Sequence, residues 1–377
     1  MGNHAVPMKR TAVRLVIAFF VMTTVFFVVD PFDMIAVDRG AELDTHQLHR
    51  ALGVDGPALR YITPSVLRTW AERDFLIVFG VPSVDIDARR RRRNLQRTTC
   101  WRFLDVATKA NRFTGAMLVL YIMGRHPSHN YIYSAELLEE AAEWQDVIAL
   151  SMNDALPTTN RTIASGLFWG MEAEIGMSRK TFLWFDMALR LFPKVPYIAK
   201  GDDDIFMRVP QYLADLRIMP RRGLYMGVYG MSKFLIEQRY IDVFFMIGFC
   251  YTMARDVAEQ FVSYEPLRRL VSIPYSKERE SEFRSIHMDH EDCMVGRVLL
   301  NELKYPSVVI AAAAPCRYND ARNQTGHSLV TPKSVVVHHV LESDYAELMD
   351  RFRNDTNPPP SSLWNRGNNF SYISCDP

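Results

Sequence analysis

The sequence has few cysteines and almost no net charge, and both shortages narrow the classes of protein to which it can belong. Only five of its 377 residues are cysteines, and none lies in a CxxC pair or in the Cys/His spacing of a structural zinc site. Lysine and arginine number 44 against 43 acidic residues, which gives a formal net charge of +1. This near balance removes the general electrostatic case for a nucleic-acid partner.

Internal repeats and long linkers are also missing, which limits the number of domains. No segment recurs at a period of about 20 to 50 residues, the spacing of repeat proteins. Nothing in the middle of the chain has the composition of an extended linker. We therefore expect one α/β domain of about 280 residues with flanking parts, a length that is ample for a buried core.

The longest run of apolar residues lies near the N-terminus. Residues 11–29 carry almost no charge and come close to the roughly 17 to 25 residues that a helix needs to cross a bilayer. Lys9 and Arg10 precede the run and Asp30 follows it, a bias that puts the N-terminus in the cytosol. We predict a cytosolic tail at 1–10 and a transmembrane signal anchor at 11–29, in type II orientation. A cleaved signal peptide is the alternative, but no small-x-small cleavage site follows.

The lumenal side predicted by this topology is oxidising, and further motifs fit that compartment. Five cysteines permit two disulfides and one free thiol there, with a connectivity that the sequence does not reveal. Sequons for N-glycosylation begin at four asparagines, which we predict to be modified: Asn160, Asn323, Asn354 and Asn369.

Apolar runs alternate with helical patterns from residue 74 onward. Phe75–Val81 and Met117–Met123 are short and apolar, and they are ended by Pro82 and Gly124. Val195–Ala199 is a third run of this kind, and it follows a helical pattern. Buried strands that alternate with helices predict an α/β fold with a mostly parallel sheet covered on both faces.

The segments on either side of this domain have a different composition. Residues 30–73 mix polarities with no clear period, so we predict a stem between the membrane and the domain. Residues 354–377 are rich in Asn, Pro and Ser, and we predict a loosely ordered tail. The folded domain is therefore expected at 74–353.

Three successive carboxylates follow the third apolar run. Asp202, Asp203 and Asp204 come directly after a predicted strand, and ligands of α/β sheets bind beyond the carboxyl ends of the strands. Packed carboxylates repel one another unless a cation neutralises them, and their oxygens suit Mg²⁺ or Mn²⁺. Such an ion can stabilise a departing nucleotide diphosphate. A solvated acidic turn is the alternative; a second D-x-D, Asp85–Asp87, runs into arginines and is not expected to bind metal.

A run of five arginines occupies Arg89–Arg93, and Arg97 lies one helical turn beyond it. A solvated basic face and a nuclear-localisation signal are two ordinary explanations, of which the type II topology argues against the second. The functional explanation is an anion site, because arginine forms bidentate hydrogen bonds to phosphate.

These motifs form an ordered set that resembles glycosyltransferase family 31, which holds β-1,3-galactosyltransferases and β-1,3-N-acetylglucosaminyltransferases. The resemblance covers about residues 74–350. Asn153–Thr162 departs from the usual pattern and resembles the UDP-galactose- or UDP-N-acetylglucosamine-dependent branch of trypanosomatids. The matching stretches are Arg92–Thr99 (RRxxxRxT), Leu118–Gly124, Glu140 with Asp146, Lys200–Phe206 (KGDDDIF), Gly248–Tyr251 (GxxY) and Glu291–Gly296 (EDCxxG).

The resemblance implies a GT-A-type, Rossmann-like nucleotide-sugar-binding fold in the lumen of the Golgi, anchored in the membrane by the N-terminal helix. It implies a metal-dependent, inverting transfer of galactose or N-acetylglucosamine from a UDP-sugar to a glycan acceptor, with a β-1,3 linkage and Mn²⁺ or Mg²⁺ as cofactor. Whether the enzyme forms a homodimer stays open, as does the choice between His338 and His339. The implied roles are the base Asp292 with Glu291, the metal ligands Asp202, Asp204 and His338, donor binding by Arg93, Arg97, Asp146, Lys200 and Asp203, and a sugar loop with Gly248 and Tyr251.

Two other functions fit parts of the pattern. A metal-dependent phosphohydrolase could use the same acidic turn, but neither a second metal cluster nor an acidic nucleophile is evident in the sequence. A catalytically silent lectin-like or chaperone member would bind glycans without turnover. The intact acidic turn and Asp292 argue against this second alternative.

Overall fold

The computed structural model describes residues 56–158, 169–236, 239–322, 330–367 and 369–375. The predicted anchor at 11–29 and the sequons at Asn160 and Asn323 lie outside these ranges. Over the described ranges, we find no helix with both the length and the apolar character needed to cross a membrane.

Strands and helices alternate through the first half of the chain. The strands are, in chain order, β1 (Ile77–Ser83), β2 (Val106–Ala107), β3 (Met117–Arg125), β4 (Val147–Asn153), β5 (Tyr197–Gly201), β6 (Phe206–Met207), β7 (Leu224–Ile236), β8 (Arg239–Ala254), β9 (Val309–Ala313), β10 (Tyr318–Asp320), β11 (Val336–His338), β12 (Leu363–Asn365) and β13 (Phe370–Ile373). The helices are α1 (Pro64–Glu72), α2 (Asp87–Thr98), α3 (Ala135–Trp144), α4 (Met171–Leu191), α5 (Val209–Arg217), α6 (Arg255–Ser263), α7 (Glu265–Val271), α8 (Glu280–Arg284), α9 (Glu291–Gly296) and α10 (Asp344–Phe352), and a π-helical segment at Arg297–Glu302 continues α9.

The central sheet has the order β12-β13-β9-β7-β8-β5-β1-β3, and both β2 and β4 pair with β3. The neighbouring strands β5, β1, β3 and β4 are parallel to one another. The strands β7, β9 and β13 form a second parallel group. The strand β8 is antiparallel to both of its neighbours. The predicted α/β class with a largely parallel central sheet is confirmed.

The sheet is covered on both faces, which explains the continuous apolar runs of its strands. Successive side chains of β1 point to opposite faces. A Cβ atom at Gly80 would lie 2.3 Å from the ring of Trp184 in α4, whereas the ring of Phe79 contacts Tyr212 of α5. All residues of β1 are buried in consequence.

A wide bulge interrupts β8 beside the end of β5. Gly227 of β7 lies opposite Tyr251, but Tyr229 lies opposite Met246, so that Ile247–Cys250 face only one residue of β7. Bulges re-aim a strand and are frequent next to functional sites. This one brings the backbone of β8 to the carboxyl end of β5, where Lys200 pairs with Tyr251.

A second, three-stranded sheet lies next to this bulge. Its order is β10-β11-β6, with β11 parallel to β10 and antiparallel to β6. Because β6 follows the acidic turn directly and β11 ends at His338, this pairing brings the histidine to the turn.

The folded unit begins earlier than the predicted boundary at residue 74. Helix α1 lies within the predicted stem, and its Leu67 and Trp70 are buried. The ring of Trp70 contacts Phe113 and Phe192. The prediction of a stem up to residue 73 is therefore wrong for α1, because its apolar side is part of the core.

The C-terminal segment is also more ordered than predicted. Strand β13 pairs in parallel with β9, and a disulfide joins Cys316 to Cys375. The other cysteines, at positions 100, 250 and 293, are buried thiols. The prediction of a loosely ordered tail at 354–377 is wrong for β12 and β13, because backbone hydrogen bonds and the disulfide fix them to the sheet.

The contact between Gly80 and Trp184 gives a test of this packing. We expect Gly80→Ala to destabilise the fold by about 1–3 kcal/mol, since the added methyl group overlaps a buried ring. Gly176→Ala in α4 is the matched control: no atom lies within 4 Å of the added Cβ, so it should stabilise the helix by about 0.5–1 kcal/mol. Chemical denaturation of both variants measures the two effects, and equal effects would contradict the layering.

Candidate active site

The acidic turn lies where the sequence predicts it, at the carboxyl end of β5. The amide of Asp202 donates to the carbonyl of Phe249 in the β8 bulge, at 2.9 Å. The carbonyl of Asp204 accepts from the amide of Val340, at 3.0 Å. The turn is therefore fixed on one side by β8 and on the other by the chain that follows β11.

The three predicted metal ligands, Asp202, Asp204 and His338, lie close together. The Nε2 atom of His338 is 3.3 Å from Asp204 Oδ1 and 3.7 Å from Asp202 Oδ2. One ligand atom from each of the three residues lies within 4.8 Å of the other two. Their side chains are between 12% and 31% exposed, so the cluster is open to a ligand on one side.

The structure distinguishes the two adjacent histidines. The ring of His338 faces the acidic turn and stacks on Phe249, with 4.7 Å between ring centroids. His339 instead pairs through Nδ1 with Asp320, at 2.9 Å. His338 is thus the one placed to share a metal with Asp202 and Asp204.

The charged groups of this cluster shift one another's pKa values. Burial alone would raise the pKa of Asp204, but His338, Arg92 and Arg89 outweigh it and lower the pKa. Burial alone would lower the pKa of His338, but Asp204 and Asp202 raise it. Two carboxylate oxygens suit Mg²⁺ and Mn²⁺, and the imidazole nitrogen favours the transition-metal ion. A divalent ion would bind the imidazole of His338 in its unprotonated form.

Asp203 points away from this cluster. Its carboxylate accepts hydrogen bonds from Ser83 Oγ at 2.8 Å and from Arg89 at 2.6 Å. Arg92 lies 3.5 Å away. Asp203 was predicted to bind the donor, but its oxygens are held by the end of β1 and by α2, so it anchors the turn instead.

The six arginines of α2 separate into three groups by helical spacing. Arg89 and Arg92 face the acidic turn, together with Gln96, whose amide donates to the carbonyl of Ile205. Arg90 and Arg91 point outward and make exposed ion pairs. The third group, Arg93 and Arg97, lies on the face toward α3.

Arg93 and Arg97 take part in a buried ion-pair network. Arg93 donates two hydrogen bonds to Glu140, at 2.6 and 2.7 Å, and two more to Ser83 Oγ and the carbonyl of Val84, at the end of β1. Arg97 pairs bidentately with Asp146, at 2.8 Å, and also donates to Glu140. The rings of Tyr121 and Trp144 lie beside its guanidinium.

Arg93, Arg97 and Asp146 were predicted to bind the donor, but the structure places them in this ion-pair network. Their charged atoms are committed to one another and to Glu140, so we assign them to holding α2 against α3. Arg97 and Asp146 also line a mostly apolar cavity of about 590 Å³. The lining of this cavity includes no residue of the acidic turn.

The predicted base lies at the start of α9, next to the β8 bulge. Asp292 accepts from the amide of Gly248 at 3.0 Å and from the amide of Cys293 at 2.8 Å. Burial raises the pKa of Asp292, although the two amides oppose that effect. The residue is partly buried.

Glu291, by contrast, is fully engaged. Its Oε1 accepts from the hydroxyl of Tyr251 at 2.6 Å, and its Oε2 lies 3.3 Å from the ammonium of Lys200. Tyr251 was predicted to line a sugar loop, but it is buried and its ring stacks on Phe185. Lys200 was predicted to bind the donor, but it contacts Asp202, Gly248 and Glu291.

Several residues that shape the site were not predicted from the sequence. Ser83 and Arg89 hold the acidic turn, and Phe249 stacks on His338. Because residues three apart share a helix face, the sequence alone could have shown that Arg89 and Arg92 lie on the same face of the helix, away from Arg90 and Arg91. The other D-x-D behaves differently: Asp85 accepts from the amide and hydroxyl of Ser134, the residue that caps the N-terminus of α3.

No protein-family model matches the chain, and no curated protein sequence matches it. Among solved structures, it is similar to a glycosyltransferase involved in the glycosylation of the major capsid of PBCV-1, with a TM-score of 0.32 and 9% sequence identity. The match covers 73% of this chain and 98% of that chain. At this TM-score we draw nothing about function from the likeness. The resemblance to glycosyltransferase family 31 stays a prediction.

The buried network predicts a large loss of stability when its shared carboxylate is neutralised. Glu140→Gln leaves two buried guanidiniums short of charge compensation, so we expect a loss of about 3–5 kcal/mol in urea denaturation at neutral pH. Glu139→Gln, at the exposed neighbouring position, should change stability by less than about 0.5 kcal/mol. A small effect of Glu140→Gln would restore these arginines as candidates for ligand binding.

Proposed function

We propose that this chain is a glycosyltransferase that moves galactose or N-acetylglucosamine from a UDP-sugar to a hydroxyl of a glycan acceptor. The observation that carries the proposal is the cluster of Asp202, Asp204 and His338 at the carboxyl end of β5. Asp292 stands on the neighbouring helix, fixed by the amide of Gly248. A metal site can stabilise the departing diphosphate, and a carboxylate base can accept the proton of the acceptor hydroxyl.

The three clustered residues would hold Mn²⁺ or Mg²⁺, and their donor set favours Mn²⁺. When bound, the ion would neutralise negative charge on the diphosphate of the donor. The protein fixes the ligands beforehand: Phe249 orients the ring of His338, and Lys200 takes one oxygen of Asp202. The chain thus supplies an ordered binding site before any donor arrives.

Asp292 is the group we propose as the general base. The amides of Gly248 and Cys293 fix the position of its carboxylate, and burial raises its pKa, which makes it a better proton acceptor than an ordinary aspartate. A base on the acceptor hydroxyl and a leaving group on the opposite face give inversion at the sugar carbon. We propose a β-1,3 linkage on the family resemblance alone.

Arg89 and Arg92 replace Arg93 and Arg97 as the proposed contacts to the donor phosphates. The side chain of Arg92 is only 9% exposed, and its ion pair with Asp203 is 3.5 Å long. Among the described residues, its Nε has no hydrogen-bond partner. A buried guanidinium with so little compensation is costly. Arg89 is the more exposed of the two, and both lie close enough to Asp204 to lower its pKa.

We also propose that the chain acts in the Golgi lumen, anchored as a type II membrane protein. The Cys316–Cys375 disulfide supports an oxidising compartment. The sequons at Asn354 and Asn369 begin at exposed residues, where a glycan can be attached.

Transfer activity and its metal dependence test the proposal. The purified chain, with Mn²⁺ and each of several UDP-sugars, should release UDP from one donor when a simple galactoside acceptor is present, and EDTA should abolish the release. Asp204→Asn should lose both Mn²⁺ binding and transfer. Asp292→Asn should keep Mn²⁺ and UDP affinity but lower kcat by about 10²-fold or more, because it removes the base.

Asp87→Asn is the matched control, since Asp87 belongs to the other D-x-D and its side chain is 76% exposed, in an ion pair with Arg90. Its activity should equal that of the natural sequence. Binding of Mn²⁺ and UDP without transfer from any donor would contradict the catalytic proposal and favour a silent glycan-binding protein.

The arginine run supplies its own comparison for the donor site. Arg92→Met should raise the UDP dissociation constant about 10-fold in the presence of Mn²⁺, the effect of losing one hydrogen bond to a charged group. Arg91→Met, one residue earlier and 60% exposed, should leave it unchanged. Calorimetric titration of UDP measures both, and equal constants would remove Arg92 from the donor site.

A further inference from the structure

We propose that Lys200 is a positioning residue that fixes Asp202 for metal binding and ties it to the helix that bears Asp292, and that it does not contact the donor. The inference rests on the proposed function in one respect, the presence of a metal at Asp202. It differs from the role that the sequence predicts for this lysine.

The ammonium of Lys200 has no hydrogen left for a ligand. It contacts Asp202 Oδ1 and the carbonyl of Gly248 at 2.6 Å each, and Glu291 Oε2 at 3.3 Å. A lysine ammonium has three N–H donors, so these contacts use all of them. Its side chain is 2% exposed, which leaves almost no surface for a phosphate to approach.

These three acceptors come from three different parts of the fold. Asp202 belongs to the turn after β5, Gly248 to the bulge of β8, and Glu291 to the first turn of α9. The amide of the same Gly248 holds Asp292. One cation therefore sets the spacing between the metal ligands and the proposed base.

The position of Asp202 depends directly on this contact. Its Oδ1 faces Lys200, whereas its Oδ2 faces His338. Partners that hold the outer oxygen of a metal-binding carboxylate orient the inner one, and their loss typically costs 10–100-fold in metal affinity. Without Lys200, Asp202 would be free to turn away from His338.

Glu291, the acceptor of Lys200 on α9, is itself held in place by Tyr251. The hydroxyl of Tyr251 holds its second oxygen at 2.6 Å, and both residues are buried. Gly248 has no side chain, and a Cβ there would lie 3.1 Å from Glu291 Oε2. The small residue thus lets the acids of α9 approach the bulge closely enough to share the lysine.

The test is the affinity for Mn²⁺ measured by calorimetry in the absence of any nucleotide. We expect the dissociation constant to rise at least 10-fold in Lys200→Met. Lys200→Arg should weaken binding as well, because a planar guanidinium cannot place N–H groups on these three acceptors, although it keeps the charge. This second variant keeps a cation among the buried acids, so it answers the question if Lys200→Met does not fold.

A role in donor binding would give the opposite pattern. Unchanged Mn²⁺ affinity in both variants, with weakened UDP binding that Lys200→Arg restores, would overturn the inference. Tyr251→Phe serves as the comparison: it frees Glu291 but leaves Asp202 on the lysine, so Mn²⁺ affinity should stay within about 3-fold while kcat falls.

The outcomes also separate this inference from the proposed function. Mn²⁺ binding by the natural sequence without sugar transfer would overturn the function and leave the positioning role of Lys200 supported by the variants. Absence of Mn²⁺ binding by the natural sequence would overturn both.

Discussion

The buried ammonium of Lys200 is the contact on which the candidate site depends. Burial opposes a charge on this lysine, but Asp202 and Glu291 outweigh it and raise its pKa. It stands on β5 and its side chain is only 2% exposed, so water screens its charge poorly. Taking this cation away would leave the buried carboxylate of Glu291 uncompensated and would remove the partner of the partly exposed Asp202, and an uncompensated buried charge is costly.

The rest of the site follows from the way in which the fold distributes charge around the acidic turn. Lys200 compensates the turn from the side of α9, and Arg89 and Arg92 compensate it from α2, through Asp203. The remaining oxygens, Asp202 Oδ2 and Asp204 Oδ1, face the imidazole of His338. Two carboxylates and an imidazole that face one another across an opening form a site in which a divalent cation is the natural occupant.

Much of this could be predicted from the sequence, because the informative features are local. The apolar runs predicted the strands β1, β3 and β5, and the acidic residues come directly after the third run, which placed them at the end of a strand. The fates of individual arginines were not predictable from composition, since five identical side chains in a row differ only in the helix face they occupy. The C-terminal strand β13 was missed for another reason: its partner β9 is distant in sequence, and a segment rich in Asn, Pro and Ser gives no local sign of the pairing.

The most direct measurement is a crystal structure of the chain with Mn²⁺ and UDP, recorded at a wavelength at which manganese scatters anomalously. We predict one manganese peak between Asp202, Asp204 and His338. The ammonium of Lys200 should still contact Glu291, and the UDP phosphates should lie toward Arg89. A peak at another cluster, or a Lys200 side chain turned onto a phosphate oxygen, would contradict this prediction.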